Sequence, residues 1–184
     1  EKRYRSLIEN LPEAVYSCKL DEILTTIHMT DNVEKITGYT GEDFISDRIQ
    51  ILDLIHPGDI QKFREQVDKA IHDHGTFQVT YRIKTRNSEI RWVENMGEVV
   101  MLDEGQSFLI GFWHDITERI EAGQTLEKNL KLLEAIVENS HSAIFVKDLD
   151  YRYIMVNRRW EMVTGHGREE VLGKRLAEFA RGDV

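Results

Sequence analysis

The amino-acid sequence predicts an α+β fold in which an antiparallel sheet is followed by one long helix. Residues 77–84 alternate strictly between apolar and polar side chains, which is the period of a half-buried strand. In residues 108–115 both the odd and the even positions, which face opposite sides of a sheet, carry apolar or small side chains. This pattern predicts a strand covered on both faces. The period becomes helical from Ile116 onward. A buried strand is therefore expected to run directly into a helix.

Length and composition restrict the class of protein. The chain has 184 residues, enough for one large or two small domains, and 41% hydrophobic residues, enough for a globular core. Its net charge of -9 disfavours a nucleic-acid or anionic-membrane surface. A single cysteine, Cys18, excludes a disulfide framework. No apolar run approaches the ~20 residues of a membrane helix, and no signal peptide is recognisable. A cytoplasmic location is predicted, and Glu1 in place of an initiator Met favours a piece of a longer protein.

The first 118 residues read as strands separated by short helices. An amphipathic helix at residues 4–11 is ended by Pro12, and a helix at 32–37 is closed by Gly38. The motif His56-Pro57-Gly58-Asp59 begins the longest internal helix, which is predicted to reach about residue 72. The remaining elements are strands at 14–20, 24–29, 77–84, 90–101 and 108–115, a short helix at 42–45, and an irregular apolar segment at 49–55.

The chain contains an internal repeat. Ile8-Glu9-Asn10 matches Val137-Glu138-Asn139, and Ala14-Val15-Tyr16 matches Ala143-Ile144-Phe145. Further on, Ile36-Thr37-Gly38 matches Val163-Thr164-Gly165 with a shift of two residues, as a shortened hairpin requires. Because the second copy stops before any counterpart of the last three strands, it is predicted to be half a domain.

These motifs carry a resemblance to the PAS sensor family. The resemblance implies a PAS domain with its C-terminal PAC motif at 1–118, a signalling or coiled-coil linker helix at 119–138, and a truncated second PAS domain at 139–184. It implies a five-stranded antiparallel sheet of order 2-1-5-4-3 with short helices on one face. The residues that carry it are Glu9-Asn10-Leu11-Pro12, Ile36-Thr37-Gly38-Tyr39, His56-Pro57-Gly58-Asp59, Arg91-Trp92-Val93-Glu94 and Asp115-Ile116-Thr117-Glu118-Arg119.

The resemblance implies a sensory input or relay module of a larger signalling protein. The whole protein is expected to be a bacterial or archaeal histidine kinase or diguanylate cyclase, with its output domain elsewhere. The sequence itself has no kinase, cyclase or phosphate-binding glycine-rich motif, and no nucleophile beside a base in a recognisable pattern. We therefore predict that this chain is not an enzyme and has no catalytic residues.

PAS pockets lie between the sheet and the short helices, and the resemblance indicates which residues face this space. Two alternatives remain: the residues form the packed core of a relay, or they line a cavity for a small metabolite. In the second case a carboxylate or other small anion would contact Tyr81 and Asn95. The predicted lining is Ile36, Phe63, Val67, Tyr81, Ile83, Val93, Asn95, Leu109, Gly111 and Trp113.

No cofactor is predicted. Flavin-binding members of the family have a cysteine on a short helix, whereas Cys18 falls on the first strand, and bulky Trp113 takes the position of their flavin-contacting glutamine. Haem requires an axial ligand, and residues 61–67 contain no histidine. His72 and His74 are two residues apart and do not share a helix face, so no metal site is predicted. His56 is interpreted as structural.

The segment Asp115-Ile116-Thr117 is predicted to be the signal junction. Asp115 and Thr117 are good N-cap residues, and Asp115 with Glu118 has the spacing of a capping box. Since the buried strand meets the helix without a linker, a shift of the sheet is expected to reach the helix.

The helix from Ile116 to Val137 is predicted to form a homodimer. Leu126, Leu130, Leu133 and Val137 follow steps of four, three and four residues, which is a heptad seam, although Gly123 weakens its first half. The alternative is a helix packed on its own domain.

On the sheet, the outward side chains Trp92, Phe108, Ile110 and Phe112 also need cover, for which we expect Tyr4, Leu7, Ile8 and Leu11.

Overall fold

The computed structural model describes residues 11–73, 75–101 and 107–180, and the chain divides into two compact units between Glu121 and Ala122. The helix predicted at residues 4–11 lies almost entirely outside the described residues. The proposed cover of the outward sheet face therefore stays a prediction.

The first unit is built on a five-stranded antiparallel sheet of order β2-β1-β5-β4-β3, which confirms the predicted fold class. Short helices follow β2, and the last three strands form a meander. The strands are β1 (Ala14–Lys19), β2 (Thr26–Met29), β3 (Thr76–Lys84), β4 (Ile90–Met101) and β5 (Ser107–Asp115); the helices are α1 (Val33–Thr37), α2 (Gly41–Ile45), α3 (Ile51–Leu54) and α4 (Ile60–Asp73).

Local chemistry sets the helix boundaries. Gly38 ends α1 in the left-handed conformation, with φ of 79°, as its position in the sequence predicted. The segment at 49–55 is not wholly irregular as predicted, because Gln50 and Asp53 form a capping box around the single turn of α3. His56 plays the structural part expected of it: its Nδ1 accepts the Gly58 N–H at 3.2 Å. A 3₁₀ turn, Pro57–Asp59, then leads into α4.

The core of this unit lies between the inward face of the sheet and the short helices. It contains Cys18, whose thiol pKa is raised to about 12 by burial. On the opposite face of the sheet Ile110 is 40% exposed, and Phe108 and Phe112 are half-buried. Antiparallel sheets commonly leave one face to solvent, and among the described residues this face borders a groove of about 450 Å³.

Helix α5 (Thr117–Glu138) begins in the first unit and ends in the second. The second unit has its own small core of Tyr153, Val156, Trp160 and Val171, with Phe179 packed against it. Its further elements are β6 (Phe145–Lys147), β7 (Tyr153–Val156), α6 (Arg158–Thr164), α7 (Arg168–Val171) and α8 (Leu176–Phe179), with β6 and β7 paired as a hairpin.

None of the helices in the described part of the chain combines the length and the apolar character needed to cross a membrane.

Candidate functional site

The residues predicted to line the PAS pocket come together in the core of the first unit. Ile36 lies on α1, Phe63 and Val67 lie on α4, and the others lie on the inward parity of β3, β4 and β5. All of them are buried: Ile36, Phe63, Val67, Tyr81, Ile83, Val93, Asn95, Leu109, Gly111 and Trp113. The inward parity of the strands was thus predicted correctly, while a ligand at these residues stays a prediction.

A buried chain of hydrogen bonds links three strands through this core. The Tyr16 hydroxyl donates to Asn95 Oδ1 at 2.9 Å, and Asn95 Nδ2 donates to the Tyr81 hydroxyl at 2.9 Å. Burial raises the pKa of Tyr16 well above its ordinary value and that of Tyr81 likewise, so both phenols stay neutral. Neutral, paired polar groups make this polar chain compatible with the apolar core around it.

The polar chain crosses β5 at a glycine. Tyr16 on β1 pairs with Gly111 on β5, which pairs with Gly97 on β4. A Cβ on Gly111 would lie 2.7 Å from the Tyr16 hydroxyl oxygen, so only glycine leaves room for this ring to reach Asn95. Similarly, a Cβ on Gly97 would meet the Phe77 ring at 2.6 Å. The space above the two glycines is therefore filled by aromatic rings of the same sheet.

Trp113 stands at the centre of the packing. Its ring centroid lies 6.0 Å from that of Tyr16 and 6.3 Å from that of Phe44, the second contact being edge-to-face. The indole N–H is buried. It does not reach hydrogen-bond geometry with any described residue. Aromatic rings from β1, β5 and α2 thus pack against one another inside a core that is otherwise mostly aliphatic.

Two of the predicted lining residues also border the surface. Phe63 and Val67 line a groove of about 470 Å³ between α4 and the β1–β2 turn. The groove rim is charged, with Asp21, Arg64 and Asp68 among its residues. The groove therefore lies at the surface directly outside these two core residues.

The predicted junction is a compact set of hydrogen bonds. Asp115 Oδ1 accepts the Thr117 N–H at 2.9 Å and the Thr117 hydroxyl at 2.6 Å. The Thr117 oxygen in turn accepts the Trp92 N–H at 2.9 Å. The capping box predicted between Asp115 and Glu118 is therefore wrong, because the Asp115 carboxylate binds Thr117 and not the amide of Glu118. Ile116 between them is buried, and its N–H donates to the Trp92 carbonyl at 2.9 Å.

Arg91 adds a contact to the junction. Its Nη1 lies 3.3 Å from Asp115 Oδ2 and donates to the Lys35 carbonyl at 2.6 Å. Sequence reasoning gave no role to Arg91, although it stands in the motif Arg91-Trp92-Val93-Glu94. It also overlooked Tyr16, whose inward parity follows from its place between Ala14 and Cys18 on β1.

The predicted dimer seam on α5 is exposed in the single chain. Leu126, Leu130 and Leu133 are each more than half exposed. Leu132 and Ile136, outside the predicted seam, are both 58% exposed, so the apolar stripe is broader than the heptad positions alone. The described residues of the same chain therefore do not bury this face.

In the described part of the chain, His, Cys, Asp and Glu side chains form no group of three or more that could hold a metal ion. Cys18 lies on β1, as the sequence indicated, and Trp113 occupies the inward face of β5.

An antiparallel sheet of this order with short helices over its core defines one class of α+β domain. Models of the PAS fold match two parts of the chain, residues 26–112 and residues 131–183. The two matches cover most of the sequence and correspond to its two repeats. The chain belongs to the PAS family.

Individual relatives agree with this assignment. A "Methyl sulfide methyltransferase-associated sensor" of Methanosarcina acetivorans is 31% identical over 114 residues, which are 61% of this chain and 11% of that protein. The chain thus spans about a tenth of that relative's length.

Two solved structures have the same fold. The PAS domain of a protein from Colwellia psychrerythraea is 21% identical with a TM-score of 0.56, covering 64% of this chain and 97% of the other. A sensory box histidine kinase/response regulator from Burkholderia thailandensis is 19% identical with a TM-score of 0.57, covering 72% and 98%. At such identities the likeness establishes the fold alone.

Proposed function

We propose that this chain is a sensory relay module of a larger signal-transduction protein. A shift of the PAS sheet is passed through the junction Asp115-Ile116-Thr117 to α5. The module itself is not an enzyme, and a catalytic output domain of the histidine kinase or diguanylate cyclase type belongs to the longer protein. The names of the relatives, a sensor and a sensory box histidine kinase, support this role.

The observation that carries the proposal is the way strand and helix are joined. Only Ile116 separates the last residue of β5 from the first residue of α5. Both flanking bonds go to one residue of the neighbouring strand: Trp92 N–H donates to the Thr117 oxygen, and the Trp92 carbonyl accepts from Ile116. A displacement of β4 relative to β5 therefore either moves the first turn of α5 or breaks these bonds. Coupling between the sheet and α5 requires a structural connection of this kind, which a change at one end moves or breaks at the other.

The packing of the core favours a relay over a cofactor site. Tyr16, Trp113 and Phe44 fill the space between sheet and helices, and Tyr16 is tied to Asn95. A change in these ring positions would alter the pairing of β5 with its neighbours, two residues before Asp115.

A second candidate function is binding of a small metabolite by the same unit. Phe63 and Val67 line a surface groove and also belong to the buried core of the unit, which holds the polar chain Tyr16–Asn95–Tyr81. Pockets with a few polar groups in an apolar lining are the usual form of such sites.

The relay is tested in the longer protein by Asp115→Ala, with the output activity as readout. We expect the response to signal to be lost while the first unit stays folded by circular dichroism. The matched control is Asp148→Ala, which removes a carboxylate that accepts the Asp150 and Arg152 N–H groups in the exposed β6–β7 turn of the second unit. An unchanged response in Asp115→Ala would contradict the relay.

The homodimer is proposed to form through α5, from Ile116 to Val137, with Leu126, Leu130, Leu133 and Val137 as the seam. Analytical ultracentrifugation of the 184-residue chain should give a dimer at micromolar concentration. The double variant Leu130→Lys and Leu133→Lys should give monomers, because like charges then face each other across the seam.

The control for the seam is Leu149→Lys, which places the same charge at a fully exposed leucine of the second unit and should leave the dimer intact. A monomeric wild-type chain would contradict the proposed seam. Native mass spectrometry of the same sample separates the two candidate functions: a stoichiometric small molecule supports metabolite binding, and ligand-free protein supports the relay.

A further inference from the structure

Arg91, at the start of β4, joins α1 to the junction. Its Nη1 is shared between the Lys35 carbonyl at 2.6 Å and Asp115 Oδ2 at 3.3 Å, while Nη2 lies 3.7 Å from Glu89. We call the two contacts of Nη1 the Arg91 bridge. A planar guanidinium can hold a carbonyl and a carboxylate together in fixed geometry, whereas a lysine ammonium is a compact point charge on a flexible stem. Arg91 and Lys35, which meet in this bridge, are 56 positions apart in the sequence.

The α1 end of the bridge is fixed to the core. The Lys35 carbonyl lies in the last turn of α1, where backbone carbonyls lack partners within the helix. The neighbouring Ile36 and Thr37 are buried, and the Thr37 carbonyl accepts the Arg86 N–H at 2.8 Å. A movement of α1 in the core therefore changes the position of the carbonyl that Arg91 holds.

We propose that Arg91 is a positioning residue that transmits the position of α1 to Asp115. The junction then has two inputs: the sheet acts through the backbone of Trp92 on Thr117, and α1 acts through the Arg91 side chain on Asp115. Ile36, on α1, is among the residues predicted to face a PAS ligand, so this second input would report changes on the helical wall of the core. The functional meaning of the inference rests on the relay proposed above.

The test measures amide hydrogen exchange by NMR in the 184-residue chain. Asp115→Asn removes the charge that Arg91 faces but keeps the oxygen that binds Thr117. We expect it to raise exchange of the α1 amides at residues 35–38 on the order of 3- to 10-fold, the size of a modest coupling free energy. In an Arg91→Lys background, in which the bridge is already broken, the same change should leave these amides unaffected.

Arg86→Lys is the matched control, since it alters an arginine on the β3–β4 turn that faces the Tyr39 ring and keeps its backbone bond to Thr37. In that background Asp115→Asn should act on α1 as it does in the wild type. Unchanged α1 amides in Asp115→Asn, or the same increase with and without Arg91, would overturn the bridge.

The amides of residues 118–121 separate this inference from the relay. If Asp115→Asn changes them and leaves α1 unchanged, the relay stands and the Arg91 bridge is overturned. If α1 changes while residues 118–121 do not, the bridge is supported, and the relay is then judged by Asp115→Ala, which also removes the acceptor of Thr117.

Discussion

The two PAS units contain the same corner after their second strand, built from different residues. In the first unit Thr30 exchanges two hydrogen bonds with the backbone of Val15, both of 2.9 Å. In the second unit Asn157 does the same with Ile144, at 2.8 and 3.0 Å. Val15 and Ile144 are 129 positions apart whereas Thr30 and Asn157 are 127 apart, which places the two-residue shift of the repeat in the hairpin.

The units differ in what covers the first strand. Tyr16 is 1% exposed because β5 pairs with β1 and brings Trp113 against its ring. Its counterpart Phe145 is 51% exposed, and β6 pairs only with β7 among the described residues. Both units form the hairpin and the helix after it. In both, a left-handed glycine ends that helix, Gly38 in the first unit and Gly165 in the second. Local structure is thus intrinsic to the repeat, while the packed core and the junction depend on the strands that the second unit lacks within the described residues.

The largest expected difference between the units concerns their buried tryptophans. Trp113→Ala should destabilise the first unit by about 3–5 kcal/mol, because a large cavity would open in a packed aromatic core. Trp160→Ala should cost the second unit less, since its cluster contains few buried residues. Urea denaturation followed by unit-specific NMR amide signals gives both values. A loss below ~1 kcal/mol for Trp113→Ala would contradict the packing described for it.

The shared corner provides the next comparison. Asn157 is fully buried and its side chain makes four hydrogen bonds, including those from Nδ2 to the carbonyls of Val137 and Ser142. Asn157→Leu should therefore cost ~2–3 kcal/mol, and Thr30→Val ~1 kcal/mol, because fewer backbone groups lose a partner. Both are measured by the same denaturation experiment. Equal losses would mean that the two corners are energetically the same.

An acid-sensitive contact distinguishes the first unit. Hydrogen bonds from Arg82 lower the pKa of Asp59 to about 2 from its ordinary value of 3.8. A carboxyl with a lowered folded-state pKa adds stability above its unfolded pKa, and that stability is lost as the pH falls through the folded value. Above about pH 4 the free energy of unfolding of the wild type should therefore exceed that of Asp59→Asn. This difference should be lost between about pH 4 and pH 2. An advantage that stays constant over this range would contradict the contact.

The smallest expected loss concerns the strand-to-helix junction. Asp115→Ala should cost about 1 kcal/mol, since the N–H and hydroxyl of Thr117 lose their acceptor. Glu118→Ala should cost only ~0.3–0.5 kcal/mol through the helix dipole, because Asp115 binds Thr117 and not the Glu118 amide. Thermal denaturation of both variants compares them. Equal losses would favour the capping box that the sequence predicted.

Much of this arrangement could be predicted from local pattern. The alternation of β3 placed Tyr81 on the buried face, because successive side chains of a strand point to opposite faces. For β5, which is apolar on both faces, the family resemblance and not the pattern placed Trp113 inward. The polar chain was not predictable in this way. Tyr16 and Asn95 are 79 positions apart and meet across Gly111, which depends on sheet order and register together. The contact between Arg91 and Lys35 likewise depends on the rotamer of one long side chain.

The central claim is that the core of the first unit is coupled to α5 through Thr117. Asn95→Leu removes the polar chain at constant size and should shift the NMR amide signals of residues 118–121. In a Thr117→Val background, in which the Trp92 N–H loses its acceptor, the same substitution should shift those signals less while still shifting residues 77–83 on β3. Equal shifts of residues 118–121 in both backgrounds, or none in the wild type, would contradict the account.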